Sequence, residues 1–271
     1  MYIDENYILN DGRPIPKIAF GTWMIGDGEI DGAIAAAIGA GYRHIDTAEA
    51  YGNEKGVGRA LALYGKGKEI FLTTKIPAET KTVSGAKASV EQSLKSLGRE
   101  IDLLLIHAPK PWELLHDPSA PDYNAENLAV WDVMQSYVRA GDVKSIGVSN
   151  FRPDEIENLI NNSPVVPAVN QISVFIGHTP KETIDYCRGK GILVEAHSPN
   201  SHGRLASSAF AKRYADKYGV PVPVLSVAYC LATGLLPIPK SVDPAHIAQN
   251  AHADVDFTPE DLDALINAPE F

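Results

Sequence analysis

Eight apolar segments recur along the chain, at 18–23, 43–46, 70–75, 102–107, 143–149, 166–171, 192–197 and 235–240, and stretches with helical spacing separate them. Few architectures accept that alternation. Several of the segments are apolar at consecutive positions, as in DLLLIH and ILVEAH, which is the pattern of strands covered on both faces. The helical stretches fall at 30–40, 53–64, 81–97, 124–140, 153–161, 180–189 and 207–232, the last broken near Pro221. No linker or composition shift divides them. The expected fold is α/β, a single (β/α)8 TIM barrel occupying 1–271 as one domain. An open doubly wound sheet is the alternative, but it calls for a glycine-rich phosphate turn after the first strand, and GTWMIGDG is not one.

Local signals mark the element ends. Thr80, Asn124 and Thr179 are expected helix N-caps, and Pro153 and Pro180 suit a first helical position. Gly41, Gly98, Gly141, Gly189 and Gly191 stand where helices should stop. Before the barrel, YILNDGRPIPKIAF reads as a hairpin around a two-residue Asp-Gly turn. After it, DFTPEDLDALIN reads as a closing helix capped by Thr258.

Composition narrows the function classes. With 34 acidic and 24 basic residues the net charge is −10, which argues against a nucleic-acid partner, since phosphate backbones need a basic face. No apolar run reaches membrane-span length, and MYIDENYILN lacks the form of a signal peptide. Cys187 and Cys230 have no metal-type spacing and suggest buried thiols in a reducing compartment, so a cytoplasmic location is expected.

The polar residues that end these apolar runs carry the chemistry. In a parallel barrel all strand carboxyl ends open on one mouth, so distant residues converge there. Asp46 and Tyr51 lie in GYRHIDTAEAYGNE, Lys75 in IFLTTKIP and His107 in IDLLLIHAP. A phenol with a pKa of about 10 is a poor proton donor at neutral pH. A neighbouring ammonium lowers that value, and a buried ammonium needs a carboxylate. His107 could orient a substrate oxygen or share in proton transfer. The set suits reversible carbonyl reduction, in which oxygen takes a proton while carbon takes hydride. No GxSxG elbow supports serine acyl chemistry.

A second set points to a cofactor. Ser149 and Asn150 end the fifth strand and Gln171 the sixth, offering hydroxyl and amide groups for a carboxamide. Lys240 and Ser241 are expected at the start of a short helix, whose N–H groups favour phosphate. Trp23 and Trp112 follow strand ends and could wall a substrate pocket. His197 and His202 share a loop but lack further metal ligands, so no metal site is expected.

GYRHIDTAEAYGNE, LTTKIP, LLLIHAP, GVSNF, VNQI and IPKSV fall in an order and spacing that resembles the aldo-keto reductase family, over about the hairpin to residue 265. The resemblance implies Tyr51 as proton donor, Lys75 and Asp46 as its tuners, and His107 as the group that orients the carbonyl. It implies that Ser149, Asn150 and Gln171 hold a nicotinamide carboxamide. Lys240, Ser241 and Val242 would meet an adenosine 2′-phosphate, and Gln249 and Asn250 the adenine. The implied reaction is NADPH-dependent reduction of aldehydes or ketones to alcohols, with NADH a weaker alternative, by a monomer without metal, acting on a small-molecule carbonyl substrate.

The chain departs from that family in five places. His197 stands where an aromatic ring usually stacks on nicotinamide, Ala108 where Trp often follows the histidine, and Pro77 where many members have a large aromatic. His246 replaces an arginine, and the chain stops at Phe271, short of a longer pocket-closing tail. An open substrate pocket and a less strict preference for NADPH are expected. Two other classes compete: a cofactor-binding regulatory subunit with little turnover, and a metal-dependent barrel hydrolase using His107 and Asp46.

Overall fold

The computed structural model describes residues 1–270. Strands β1 (Asn6–Ile8) and β2 (Pro14–Pro16) form the N-terminal hairpin, with Tyr7 opposite Ile15. Its turn is a three-residue loop rather than the expected two-residue one. Gly12 N–H donates to the Leu9 carbonyl and Leu9 N–H to that of Arg13, both at 2.9 Å. Gly12, at φ +84°, takes the left-handed position that such a loop requires.

The barrel strands follow at the expected places: β3 (Phe20–Gly21), β4 (His44–Asp46), β5 (Phe71–Ile76), β6 (Ile101–Ile106), β7 (Val143–Ser149), β8 (Val169–Ser173), β9 (Leu193–His197) and β10 (Leu236–Ile238). They pair in parallel in sequence order, β3 to β10. Two backbone bonds of 3.0 Å close the ring: Ala19 N–H donates to the Pro237 carbonyl and Gly21 N–H to that of Pro239. The strands approach closely there, since a Cβ on Gly21 would meet Ile238 Cγ2 at 3.0 Å.

Helices α1 (Ile30–Gly39), α2 (Glu54–Tyr64), α3 (Val83–Leu97), α4 (Asn124–Ala140), α5 (Pro153–Asn162), α6 (Lys181–Gly189), α7 (Ala209–Tyr218) and α8 (Val222–Ala232) surround it. The break expected near Pro221 separates α7 from α8, with Gly219 in the left-handed region. Helices α9 (Pro244–Ala251) and α10 (Pro259–Ile266) complete the chain. Thr258 caps α10 as expected, accepting from Asp261 N–H at 3.2 Å. Three other caps differ. Thr82, not Thr80, caps α3, accepting from Gly85 N–H; Asn124 is the first residue of α4; and Pro180, not Thr179, precedes α6.

Most of the core lies between strands and helices. A smaller cluster fills the barrel floor, where Leu9, Ile15, Leu103, Leu105, Val169 and Leu236 pack together. The hairpin loop is pinned below it, Asn10 Nδ2 donating to the Pro167 carbonyl and Ser145 Oγ to Asp11.

Candidate active site

At the strands' carboxyl ends lies a cavity of about 800 Å³, lined among others by Asp46, Tyr51, His107, Gln171, His197 and Lys240. Lys75 lies behind its wall, fully buried. Side chains two apart on a strand share a face. The inward register that puts Leu105 in the floor therefore puts His107 in the mouth, and that of Val169 likewise gives Gln171.

Lys75 Nζ donates to both oxygens of Asp46, at 2.7 and 2.9 Å, and to the Thr47 carbonyl at 2.8 Å. Tyr51, in the short turn after β4, brings Oη to 3.3 Å from the same nitrogen. Burial is the largest single influence on the Lys75 ammonium and works against it, but Asp46 and Tyr51 together outweigh it and the net displacement is upward. For Tyr51 the net direction is also upward, because burial outweighs the downward pull of Lys75. The ammonium does pull the phenol down, as expected, but burial pulls it further up, and Tyr51 is protonated at neutral pH. The His107 ring meets Tyr51 edge-on at 5.6 Å and Trp112 at 5.1 Å. Burial first, then Lys75, pushes its pKa down to about 2, so it is a neutral imidazole.

The amide group beside it is densely bonded. Asn150 Nδ2 donates to the His107 carbonyl and to Ser149 Oγ, both at 3.0 Å. Its Oδ1 is therefore the acceptor for His197 Nε2 at 3.1 Å, which sets that histidine's tautomer. Ser149 Oγ in turn donates to the Gln171 carbonyl at 2.8 Å. Gln171 Nε2 is committed to Asp46 and Glu195, leaving its amide oxygen as the acceptor open to a ligand. The His197 pKa falls to about 3, from burial first and Lys75 second.

The rim is conformationally strained. Among the described residues the non-glycine positions with positive φ are Met24, Asn150, Ser198, Ser201 and His202. All but Ser201 line the cavity. Such backbone costs of order 1–3 kcal/mol per residue and gathers at functional sites. Trp23 packs edge-on against His202 at 5.1 Å.

Toward α9 the expected set is only partly brought together. Lys240 lines the cavity, whereas Ser241, Val242, His246, Gln249 and Asn250 lie outside its lining. The helix starts three residues later than expected, and its cap is Asp243, whose carboxylate accepts from Ala245 and His246 N–H at 2.7 and 3.3 Å. Those bonds hold the Asp243 carboxyl below its ordinary range. Pro77 and Ala108 lie outside the lining as well; the Ala108 carbonyl accepts from Lys81. Glu79, Ser198, Asn200 and Gly203 line the cavity without having been singled out in the sequence. Among the described residues no cluster of His, Cys, Asp or Glu could hold a metal ion, and no helix is long and apolar enough to cross a membrane.

Comparison with known proteins bears on this arrangement. Residues 17–268 match the model of the Aldo/keto reductase family. The D-galacturonate reductase of Hypocrea jecorina is 35% identical over 97% of this chain and 90% of its own length. A crystal structure of an aldo/keto reductase from Brucella melitensis superposes with a TM-score of 0.87 at 36% identity, covering 97% of both chains. The Bombyx mori aldo-keto reductase, solved in complex with NADP, has a TM-score of 0.85 at 34% identity over 97% of this chain and 92% of its own.

Proposed function

This chain belongs to the aldo/keto reductase family, and we propose that it reduces aldehydes or ketones with a nicotinamide cofactor, using Tyr51 as the proton donor. The observation that carries the reading is Lys75 Nζ bonded to Asp46 on one side and within 3.3 Å of the Tyr51 hydroxyl on the other. When bound, the cofactor would supply the hydride.

The residues fit such a group. The cavity extends from Tyr51 to Lys240, and Asn200, one of its lining residues, has a buried Oδ1 without a hydrogen-bond partner. Gln171 would accept from the carboxamide, beside Ser149 and Asn150, and His197 would offer its ring to the nicotinamide. Lys240 and Ser241 would meet the 2′-phosphate of NADPH, with Val242 and His246 beside them and Gln249 and Asn250 toward the adenine. NADPH is the preferred cofactor and NADH the weaker one. The Asp243 carboxylate limits that preference, because it already takes two helix N–H groups and repels a phosphate.

Tyr51 holds its proton through neutral pH and delivers it to the carbonyl oxygen as that oxygen gains charge. Lys75 stabilises the phenolate left behind, and Asp46 keeps Lys75 charged. His107, neutral, contributes a hydrogen bond to the same oxygen without carrying charge. Trp23 and Trp112 wall the substrate end.

Tyr51→Phe removes only the hydroxyl. Turnover of a simple aldehyde should fall by about a hundredfold or more while cofactor still binds. Near-normal turnover in that variant would falsify the role of Tyr51.

A further inference from the structure

Behind the cavity wall, Glu195 has no part in the chemistry so far described. It points into the barrel from β9, two residues before His197, and is fully buried. Glutamate almost never occupies such a place unless paired, and here its partner is not a cation. Its Oε2 accepts from Gln171 Nε2 at 2.7 Å, while the other hydrogen of that nitrogen goes to Asp46 Oδ2 at 2.9 Å. Asp46 holds Lys75, and Lys75 reaches Tyr51. One continuous hydrogen-bonded chain thus crosses the barrel interior from Glu195 to the proposed proton donor.

We propose that Glu195 is a positioning residue: through Gln171 it fixes Asp46 against Lys75 and the amide oxygen of Gln171 toward the ligand, and its charge governs how late Tyr51 gives up its proton. The last part rests on the proposed role of Tyr51; the first does not.

The orientation argument is one of donors and acceptors. With Nε2 held between two carboxyl groups, Gln171 is kept from turning over, because the turned amide would aim its oxygen at the Asp46 carboxylate and lose that bond. The charge argument counts the groups that face Glu195. Asp46 comes from β4, Lys75 from β5 and Gln171 from β8, and its neighbour on β10 is Leu236. His44, two residues before Asp46, is neutral, since burial first and Lys75 second lower its pKa to about 3. One ammonium already balances one carboxylate, so a second carboxylate is surplus. Burial first, then Asp46, raises the Glu195 pKa to about 8. Glu195 therefore carries a proton at neutral pH and loses it in mildly alkaline solution. Its new negative charge opposes a phenolate at Tyr51, so Tyr51 keeps its proton to a higher pH than it otherwise would.

E195Q keeps an acceptor for Gln171 but never ionises. The pH at which its carbonyl-reduction kcat falls to half its own maximum should move down by half a unit or more from that of the wild type. E195L removes the acceptor, and the Kd for NADPH, read by fluorescence titration without turnover, should rise threefold or more. Thermal melts report folding and give a third readout. A carboxyl whose folded pKa is raised stabilises the fold below its unfolded value of about 4.3. That stabilisation is lost as pH rises through about 8. The wild-type melting temperature should therefore fall relative to that of E195Q between those limits. Superimposable alkaline limbs in wild type and E195Q overturn the charge role, and unchanged NADPH affinity in E195L overturns the orienting role. If Tyr51→Phe turns over normally, the reading of Tyr51 fails instead, and the E195L titration and the melts still decide whether Glu195 positions Gln171 as a protonated group.

Discussion

At the floor of the barrel the inward positions of β6 and β8 carry Leu105 and Val169, packed in one cluster with Ile15 of the hairpin. Two residues further along the same register stand His107 and Gln171, which line the mouth. The same strands thus bury aliphatic carbon at one end and hydrogen-bonded polar groups at the other. At the floor, packing is the whole contribution, because no buried charge needs a partner. In the mouth buried polar groups need partners: Lys75, Asp46, Gln171 and Glu195 bond one another in series, while Glu195 Oε1, His107 Nδ1 and Asn200 Oδ1 have no hydrogen-bond partner. Stability at one end and chemistry at the other should therefore be separable by mutation.

The largest effect should come from Lys75→Met, which tests whether the mouth is a bonded unit. It leaves Asp46 buried without its cation, a change of about 3–5 kcal/mol in stability by precedent for buried pairs. Turnover should fall with it by more than about a hundredfold. Denaturant melts and steady-state rates check both, and a loss of stability no greater than that of an exposed substitution would break the picture of the mouth. Ile15→Ala probes the floor. It removes a fully buried side chain, so it should cost about 2–5 kcal/mol while rate per folded molecule stays at the wild-type level. A large fall in kcat for that variant would show that the ends are coupled. The smallest effect is expected at the outer rim, with Asp243→Asn. Asn caps helices as well as Asp, so the melting temperature should hold. Removing the carboxylate charge should tighten NADPH binding severalfold and leave NADH nearly unchanged, as measured by titration of each cofactor. Equal changes for both would remove Asp243 from cofactor choice.

Much of this was legible in the chain because alternation is a local signal. All eight strands and the residues that end them follow from the period of apolar positions, and Asp46, Tyr51, Lys75 and His107 converge from that alone. Glu195 was not singled out, although in ILVEAH it shares the face of His197 and the same rule would have placed it inward. What escaped was set by contacts between distant segments. Met24, Ser198 and His202 adopt left-handed backbone that their side chains do not favour, and nothing in their own neighbourhood announces it. The start of α9 slipped because Asp243, next to Pro244, is the stronger cap, while the expectation rested on Lys240 and Ser241. Pro77 and Ala108 were singled out for the substrate pocket because the family often carries large aromatics at those places, yet neither lines the cavity.

The closure between β3 and β10 has a mechanical side. Pro237 and Pro239 lend carbonyls to Ala19 and Gly21 but have no N–H to return, so these two prolines give the junction acceptors only, and the donors come from Ala19 and Gly21. It is the seam of the cask, where the last stave meets the first. Gly21 and Lys240, on its two sides, both line the cavity. A ligand lying against both would bridge the seam from within, as a clasp holds two ends of a hoop, and the vessel would draw part of its tightness from its contents.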